Sequence, residues 1–432
     1  MVPADVPDVV RQMDEQQLTM ANPAKKILFI SYDGMTDPLG QSQVIPYLKG
    51  LSEKGFIVHL LSCEKKEALA QNKTAVEKIL KDANIQWHPL NYTKNPPVFS
   101  TLLDIIKLRK TAKKIHKLHG LDMVHTRPGV PALVGLWMKK KLGVKFLNDI
   151  REFYADSRVE GNMWNLRNPL YKTVFRFFKR KEAEAVQQSD GIVCLTYAAQ
   201  KIIEQWPGYS KNTPLEVIPC SADLELFDPA RIAEQQKNTA RTALKISPGD
   251  FIVSYLGSIG GWYLTDEMMR FCKILLERKP EAKFLFISPH RHEDIRTAAA
   301  AAGLPVDRII TRKASRQEVP LMLSLSNASV FFIRPCYSKL SSSPTKHGEI
   351  MAMGIPLVTN SGVGDVEEIV QRYKSGIIVH DFSDKDFSGA ATELFDGTQF
   401  DTDAIRQGAI EFYSLDSAIE KYNKIYHAIF NP

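Results

Sequence analysis

A chain of 432 residues, 44% hydrophobic and 24% charged, has the makeup of a folded globular protein with room for two domains, each with its own core, and excludes a disordered or fibrous chain. No apolar run approaches the roughly 18–20 residues of a membrane span, and residues 1–24, with Asp5, Asp8, Asp14 and Glu15 and no apolar stretch, read as a disordered or partly helical extension and not a secretory signal. The charge of +7 is modest, and five cysteines without a Cys-x-x-Cys pair point to a reducing cytoplasm, away from disulfides or a cysteine-built zinc site.

From Lys25 onward short apolar strands alternate with helices, the mark of a doubly wound α/β sheet. Strands are expected at Ile27–Ser31, Phe56–Ser62, Ile85–His88, Asp122–Thr126, Lys145–Asp149 and Gly191–Leu195. The loop Asp33 to Gln41 follows the first strand and leads into a helix running to about Lys54, ended by Gly55. A helix over about Leu102–Leu118 carries Lys107, Arg109, Lys110, Lys113, Lys114 and Lys117 against Asp104, with Leu103, Ile106 and Ile115 expected on its inward face. Lys172, Arg176, Lys179, Arg180 and Lys181 form a second basic stretch among Val174, Phe175, Phe177 and Phe178. Either an ordinary solvated helix face or an anionic membrane surface accounts for both. No nucleic-acid-binding module is present in the pattern.

Asp149 ends an apolar strand and, with Arg151 beside it, is expected in the crevice above the sheet, where α/β proteins bind ligands. A carboxylate there would orient or deprotonate an acceptor hydroxyl, or stabilise positive charge on a reacting ring; the alternative is a structural pair with Arg151. Gly40, Gln41, His125 and Tyr154 are expected in the cleft-side loops of the same half.

After a crossing segment, Leu215–Phe227, and a connecting helix within Pro229–Ala243, a second series of strands begins: Phe251–Leu256, Phe284–Ile287, Arg308–Ile310 and Ala328–Ile333. Next comes Ser341-Ser-Ser-Pro-Thr-Lys-His-Gly-Glu349, then Gly354 as a helix stop, a strand at Ile355–Thr359, a short helix opened by Gly362–Asp365, and a strand at Gly376–Val379. Ser343 reads as an N-cap with Pro344 as the first helical residue. Lys346 then falls in the first helical turn, where a cation is disfavoured by roughly 0.3–1 kcal/mol. A bound phosphate removes that conflict, with Thr345 adding a hydroxyl; a solvated i,i+3 pair of Lys346 with Glu349 is the other reading. Asp384 with Asp386, and Asp401 with Asp403, are read as surface turns and not as a metal site. A last helix over about Leu415–Phe430 has one apolar face.

The run Glu349-Ile-Met-Ala-Met-Gly-Ile-Pro-Leu-Val358 resembles the donor-binding helix of the family 4 glycosyltransferases, in the branch with a Ser-Pro-Thr-Lys-x-Gly-Glu motif. Ser341 stands where the family's usual first glutamate would be, and the loop Gly257–Tyr263 lacks the family's usual arginine and lysine. The resemblance implies the glycosyltransferase B architecture of two Rossmann-like domains facing a cleft. Residues 25–218 would form the acceptor side, 219–410 the nucleotide-sugar side, and 411–432 a helix returning to the first domain. It implies a donor site of Gly257, Ser258, Ser341, Ser342, Ser343, Thr345, Lys346 and Glu349, with Glu349 on the ribose. The expected activity is transfer of a sugar from a nucleotide-diphosphate donor to a glycan or lipid-linked acceptor, retaining and metal-independent, with no cofactor. The expected setting is cell-surface polysaccharide or lipopolysaccharide synthesis, in the cytoplasm or at the inner face of the membrane. A nucleotide-sugar epimerase of the same fold and a non-catalytic nucleotide-sugar-binding protein remain the alternatives.

Overall fold

The computed structural model describes residues 24–96, 98–289, 291–397 and 399–431, so the extension expected at 1–24 lies outside them except for Ala24. Among the described residues the first domain is built on β1 (Lys26–Ser31), β2 (Ile57–Glu64), β3 (Gln86–Asn91), β4 (Met123–Thr126), β5 (Lys145–Ile150), β6 (Gly191–Cys194) and β7 (Leu215–Val217). They form one parallel sheet in the order β3-β2-β1-β4-β5-β6-β7. The second domain has β8 (Phe251–Leu256), β9 (Ala282–Ile287), β10 (Ile309–Arg312), β11 (Ala328–Val330), β12 (Leu357–Asn360) and β13 (Gly376–Val379), parallel in the order β10-β9-β8-β11-β12-β13.

Each order reverses once, between β1 and β4 and between β8 and β11. Loops leaving the carboxyl ends of strands at such a reversal diverge to opposite faces of the sheet and leave a crevice. The loops after β1 and β4 therefore meet those after β8 and β11 across one interdomain cleft, where Asp33, Arg127, Trp262 and Ile333 share the lining.

Several elements differ from the sequence reading for identifiable reasons. The first helix is split into Pro38–Gln43 and Ile45–Glu53, because Pro46 lacks the N–H needed mid-helix and is accommodated in a first turn. The strand at Gln86–Asn91 continues through Pro89, which an edge strand tolerates. Leu215–Val217, read only as a crossing segment, is the last strand of the first sheet. The basic helix spans Phe99–His119, and its buried face is Ile105, Leu108, Ala112 and Ile115. Leu103 and Ile106 point outward, 51% and 59% exposed, because helical spacing carries Ile115 and Ile106 to different faces. The Asp-x-Asp pairs are not turns: Asp384 and Asp386 lie in the first turn of a helix and Asp401 caps another, positions that favour acids.

The helix Leu415–Phe430 lies on the first domain, with Ala418, Tyr422, Ile425, Tyr426 and Ile429 packed against Phe29, Leu48, Leu147 and Val193. To reach it the chain crosses back beside its first crossing, where Ala222 N–H donates to Tyr413 O at 2.9 Å. A separate core fills the second domain around Phe271, Phe284, Phe286, Phe331 and Phe332.

Candidate donor and acceptor cleft

The helix Thr345–Ala352 begins one residue later than the sequence suggests. Pro344 holds the N-cap position in an extended conformation, and no side chain caps the first turn. Ser343 is drawn away, its Oγ accepting from Cys220 N–H at 3.1 Å and tying the loop to the interdomain crossing. The amino end of this helix is thus left uncapped beside the cleft, which Ser342, Ser343, Pro344 and Thr345 line.

Lys346 and Glu349 do not form a solvated surface pair, for both are buried. The Lys346 ammonium lies 3.8 Å from the Tyr263 ring centroid and 4.4 Å from that of Tyr255, whose hydroxyl is 3.2 Å away. Burial pushes this lysine down to about 7, only partly opposed by Glu349. Gly257, at φ +122°, lets the backbone pass this group; a Cβ there would fall 2.8 Å from the Lys346 Nζ. Ser258 contributes its carbonyl, which accepts from the Tyr255 hydroxyl. Glu349 takes a hydrogen bond from Arg316 Nη1 at 2.6 Å; burial raises its carboxyl, and Arg316 pulls the other way.

The cleft holds about 380 Å³, with Asp33, Leu39, Gln43, Arg127, Arg151 and Glu152 on the first domain facing Trp262, Tyr263, Lys339 and the 342–345 segment. Ser341 is not part of this lining. It is fully buried, its Oγ donating to Ser338 O at 2.7 Å and accepting from Phe153 N–H at 3.1 Å, a strut between the domains. Gly40 is a packing glycine, where a Cβ would come 2.3 Å from Gly34 O, and Gln41 is exposed; from this helix it is Leu39 and Gln43 that line the cleft.

Asp149 is corrected by the structure from a cleft group to a buried one, 1% exposed. Side chains alternate across a strand, so Asp149 shares a face with Leu147, beneath the last helix, and not with Asn148 and Ile150. Its Oδ2 accepts from Tyr422 O–H at 2.9 Å and lies 3.4 Å from His125 Nε2, while Oδ1 is 3.8 Å from Arg151 Nη1. Burial pushes the carboxyl up, but the Arg151 charge and the His125 contact outweigh it and hold it below the usual value. His125 is equally enclosed, with Nδ1 2.7 Å from the Tyr426 hydroxyl, and burial keeps it neutral. Arg151 alone of this group reaches the cleft; Asp149, His125, Tyr422 and Tyr426 form the bed behind it. Tyr154 lies elsewhere, against Trp164 and Phe178 on an apolar groove of the first domain.

Sequence reasoning missed Arg127, Glu152, Trp262, Tyr263, Lys339 and Arg316. The position of Arg127, directly after a strand at the sheet's reversal, is the one signal that would have found it; the others are brought in by folding.

Two parallel Rossmann-like sheets meeting at their carboxyl ends across a cleft constitute the glycosyltransferase B architecture. Residues 236–410 match the family described as glycosyl transferases group 1. The chain is similar to D-inositol 3-phosphate glycosyltransferase of Rhodococcus erythropolis, 23% identical over 292 residues, or 66% of this chain; the match spans 62% of that relative's length. Its fold is similar to that of a glycosyltransferase from Rickettsia africae, with a TM-score of 0.71, 16% identity, and 94% of this chain and 99% of that one covered. It also resembles HepE of Anabaena in complex with UDP and glucose, with a TM-score of 0.66, 12% identity, and coverage of 94% and 100%. At such identities these structures establish the fold.

Proposed function

We propose that the protein transfers a sugar from a nucleotide-diphosphate donor to a hydroxyl of a lipid-linked or glycan acceptor. The observation that carries this is the uncapped amino end of helix Thr345–Ala352, aimed into the interdomain cleft within the segment that matches the family. Its backbone N–H groups, the Thr345 hydroxyl and the nearby Lys346 charge would stabilise the leaving diphosphate without a metal ion. Glu349, held by Arg316, takes the ribose. Retention of configuration is part of the same proposal, implied by the resemblance to the family 4 glycosyltransferases. The UDP bound to HepE supports a nucleotide donor.

A second observation favours a lipid-linked acceptor and a peripheral place at the inner face of the membrane, in surface polysaccharide or lipopolysaccharide synthesis. A groove of about 620 Å³ opens between the starts of helices Phe99–His119 and Pro169–Gln188, lined by Leu102, Ile105, Met163, Trp164, Phe177 and Phe178. Phe99, 65% exposed, and Ile106 extend its apolar rim, and Lys94, Lys172 and Arg176 are exposed around it. Apolar surface ringed by cations suits an anionic leaflet.

The test is incubation with a panel of nucleotide-diphosphate sugars, with and without lipid-linked oligosaccharide. Acceptor-dependent release of nucleoside diphosphate is expected, and Glu349→Ala should weaken donor binding about ten- to a hundredfold, the scale of a lost hydrogen bond to a charged group. Epimer formed without acceptor would replace the proposal with an epimerase, and tight binding without turnover with a binding protein.

A further inference from the structure

The first domain contributes a cation that nothing so far explains. Arg127 follows β4 at the reversal point of the first sheet, its backbone N–H donating to Ile30 O at 3.1 Å. Its side chain lines the cleft, yet the residue is only 5% exposed. Among the described residues no hydrogen bond or ion pair reaches its guanidinium, and Nε is buried without a partner. Of the other partly buried arginines, Arg158 is bonded to Glu152, Arg316 to Glu349 and Arg406 to the carbonyls of Phe227 and Ala352; Arg109, whose Nε also lacks a partner, lies over the Trp137 ring and away from the cleft. A guanidinium offers five donors in a fixed fork, and burying it unpaired is more unfavourable than burying a neutral side chain of similar size.

Its surroundings say what would satisfy it. Arg151 and Lys339 line the same cleft, Arg151 half-engaged with Asp149 and Lys339 stacked 3.8 Å from the Trp262 ring centroid. Of the acids on that wall, Glu152 is held by Arg158 at 3.0 Å, and Asp33 is exposed. On the second domain the loop Gly257–Tyr263 contains no cation, Lys346 is enclosed by aromatic rings beside the helix start, and Lys339 is the cation that lines the cleft. An anion in the cleft therefore meets Arg127 and Arg151 on the first domain, with Lys339 and the helix start at Thr345 across from them.

We infer that Arg127, with Arg151 beside it and Lys339 on the opposite wall, is the head of a phosphate site on the first domain's side of the cleft. The inference deepens the donor-and-acceptor reading above and rests on it. The phosphate is either part of the donor's diphosphate or a group carried by the acceptor; planar, bidentate recognition by a guanidinium serves both.

Full-length wild-type protein and Arg127→Gln are titrated with inorganic phosphate by calorimetry, alone and with saturating uridine 5′-diphosphate, and the melting temperature of each free protein is recorded. Phosphate affinity should fall roughly tenfold or more in the variant, while the free variant melts at or above the wild-type temperature because an unpaired buried charge has been removed. Phosphate displaced by the nucleotide assigns the site to the donor's diphosphate; phosphate bound together with the nucleotide assigns it to the acceptor. If the nucleotide fails to bind but phosphate binding still depends on Arg127, the donor reading falls and the anion site stands. Equal phosphate affinity in the two proteins, no phosphate binding by wild type, or a lower melting temperature of the free variant would each overturn the inference, the last by making Arg127 structural.

Discussion

Lys346 shows how one residue's surroundings change what its charge does. In sequence it is a cation placed against a helix amino end; in the fold it is boxed in by Tyr255, Tyr263 and Phe331, and burial moves it from its ordinary 10.5 down to about 7. Because the unfolded chain keeps the proton that the folded protein gives up, stability rises with pH across the interval from about 7 to 10 and is lowest below it. A diphosphate at the helix start restores the charged form, so binding should take up a proton above about pH 7 and weaken as pH rises further. Calorimetry at about pH 8 in two buffers of different ionisation heat checks this: the apparent enthalpy should depend on the buffer for wild type and not for Lys346→Met. Identical enthalpies in both buffers for wild type would remove Lys346 from the phosphate contact.

At the scale of elements, the two basic helices divide their work differently from what charge alone suggests. The apolar face of Phe99–His119 is split: Ile105, Leu108, Ala112 and Ile115 hold the core, while Phe99, Leu102, Leu103 and Ile106 stay in water beside the groove. Asp104 on the same helix is buried and satisfied by Tyr32 and Thr93, so this end is fastened down and its exposed apolar residues are not a sign of a loose element. The pair Leu102→Glu and Ile106→Glu should leave the melting temperature unchanged and lower binding to anionic liposomes by an order of magnitude or more, since each aliphatic side chain contributes about 1.5–3 kcal/mol when buried. Lys172→Ala with Arg176→Ala, at exposed cations around the groove, should instead mainly reduce the salt dependence of binding. Sedimentation with anionic and neutral vesicles distinguishes the two, and wild-type binding by the glutamate variant would rule out the groove as the docking surface.

For the molecule as a whole, the last helix carries the chain back from the second domain into the core of the first. It belongs to the first domain's core although the chain reaches it only after completing the second sheet, and it covers the Asp149, His125 and Arg151 cluster that backs the cleft. Ile425→Ala, at a site 1% exposed, should lower stability by about 2–5 kcal/mol. The loss should fall on the first domain: hydrogen exchange of β1 and β5 amides should quicken while β8 and β9 keep their protection. Uniform acceleration in both sheets would mean that the domains unfold together.

Alternating apolar strands and helices are a local pattern, so the sequence by itself determined the α/β class, the two series of strands and, to within one residue of its start, the helix that carries Lys346 and Glu349. β7 escaped notice because so short a strand carries no period of its own, and Ser343 was misread as a cap because its partner, Cys220, is remote in the chain. Only the tertiary structure decided that Asp149 is covered and Arg127 is not satisfied. Strand-end position says that a residue is near the crevice; which face it takes, and what packs over that face, is set by a helix more than two hundred residues further along the chain. Whether a charge is free or paired depends on neighbours that the chain supplies from both domains, and no local pattern records them.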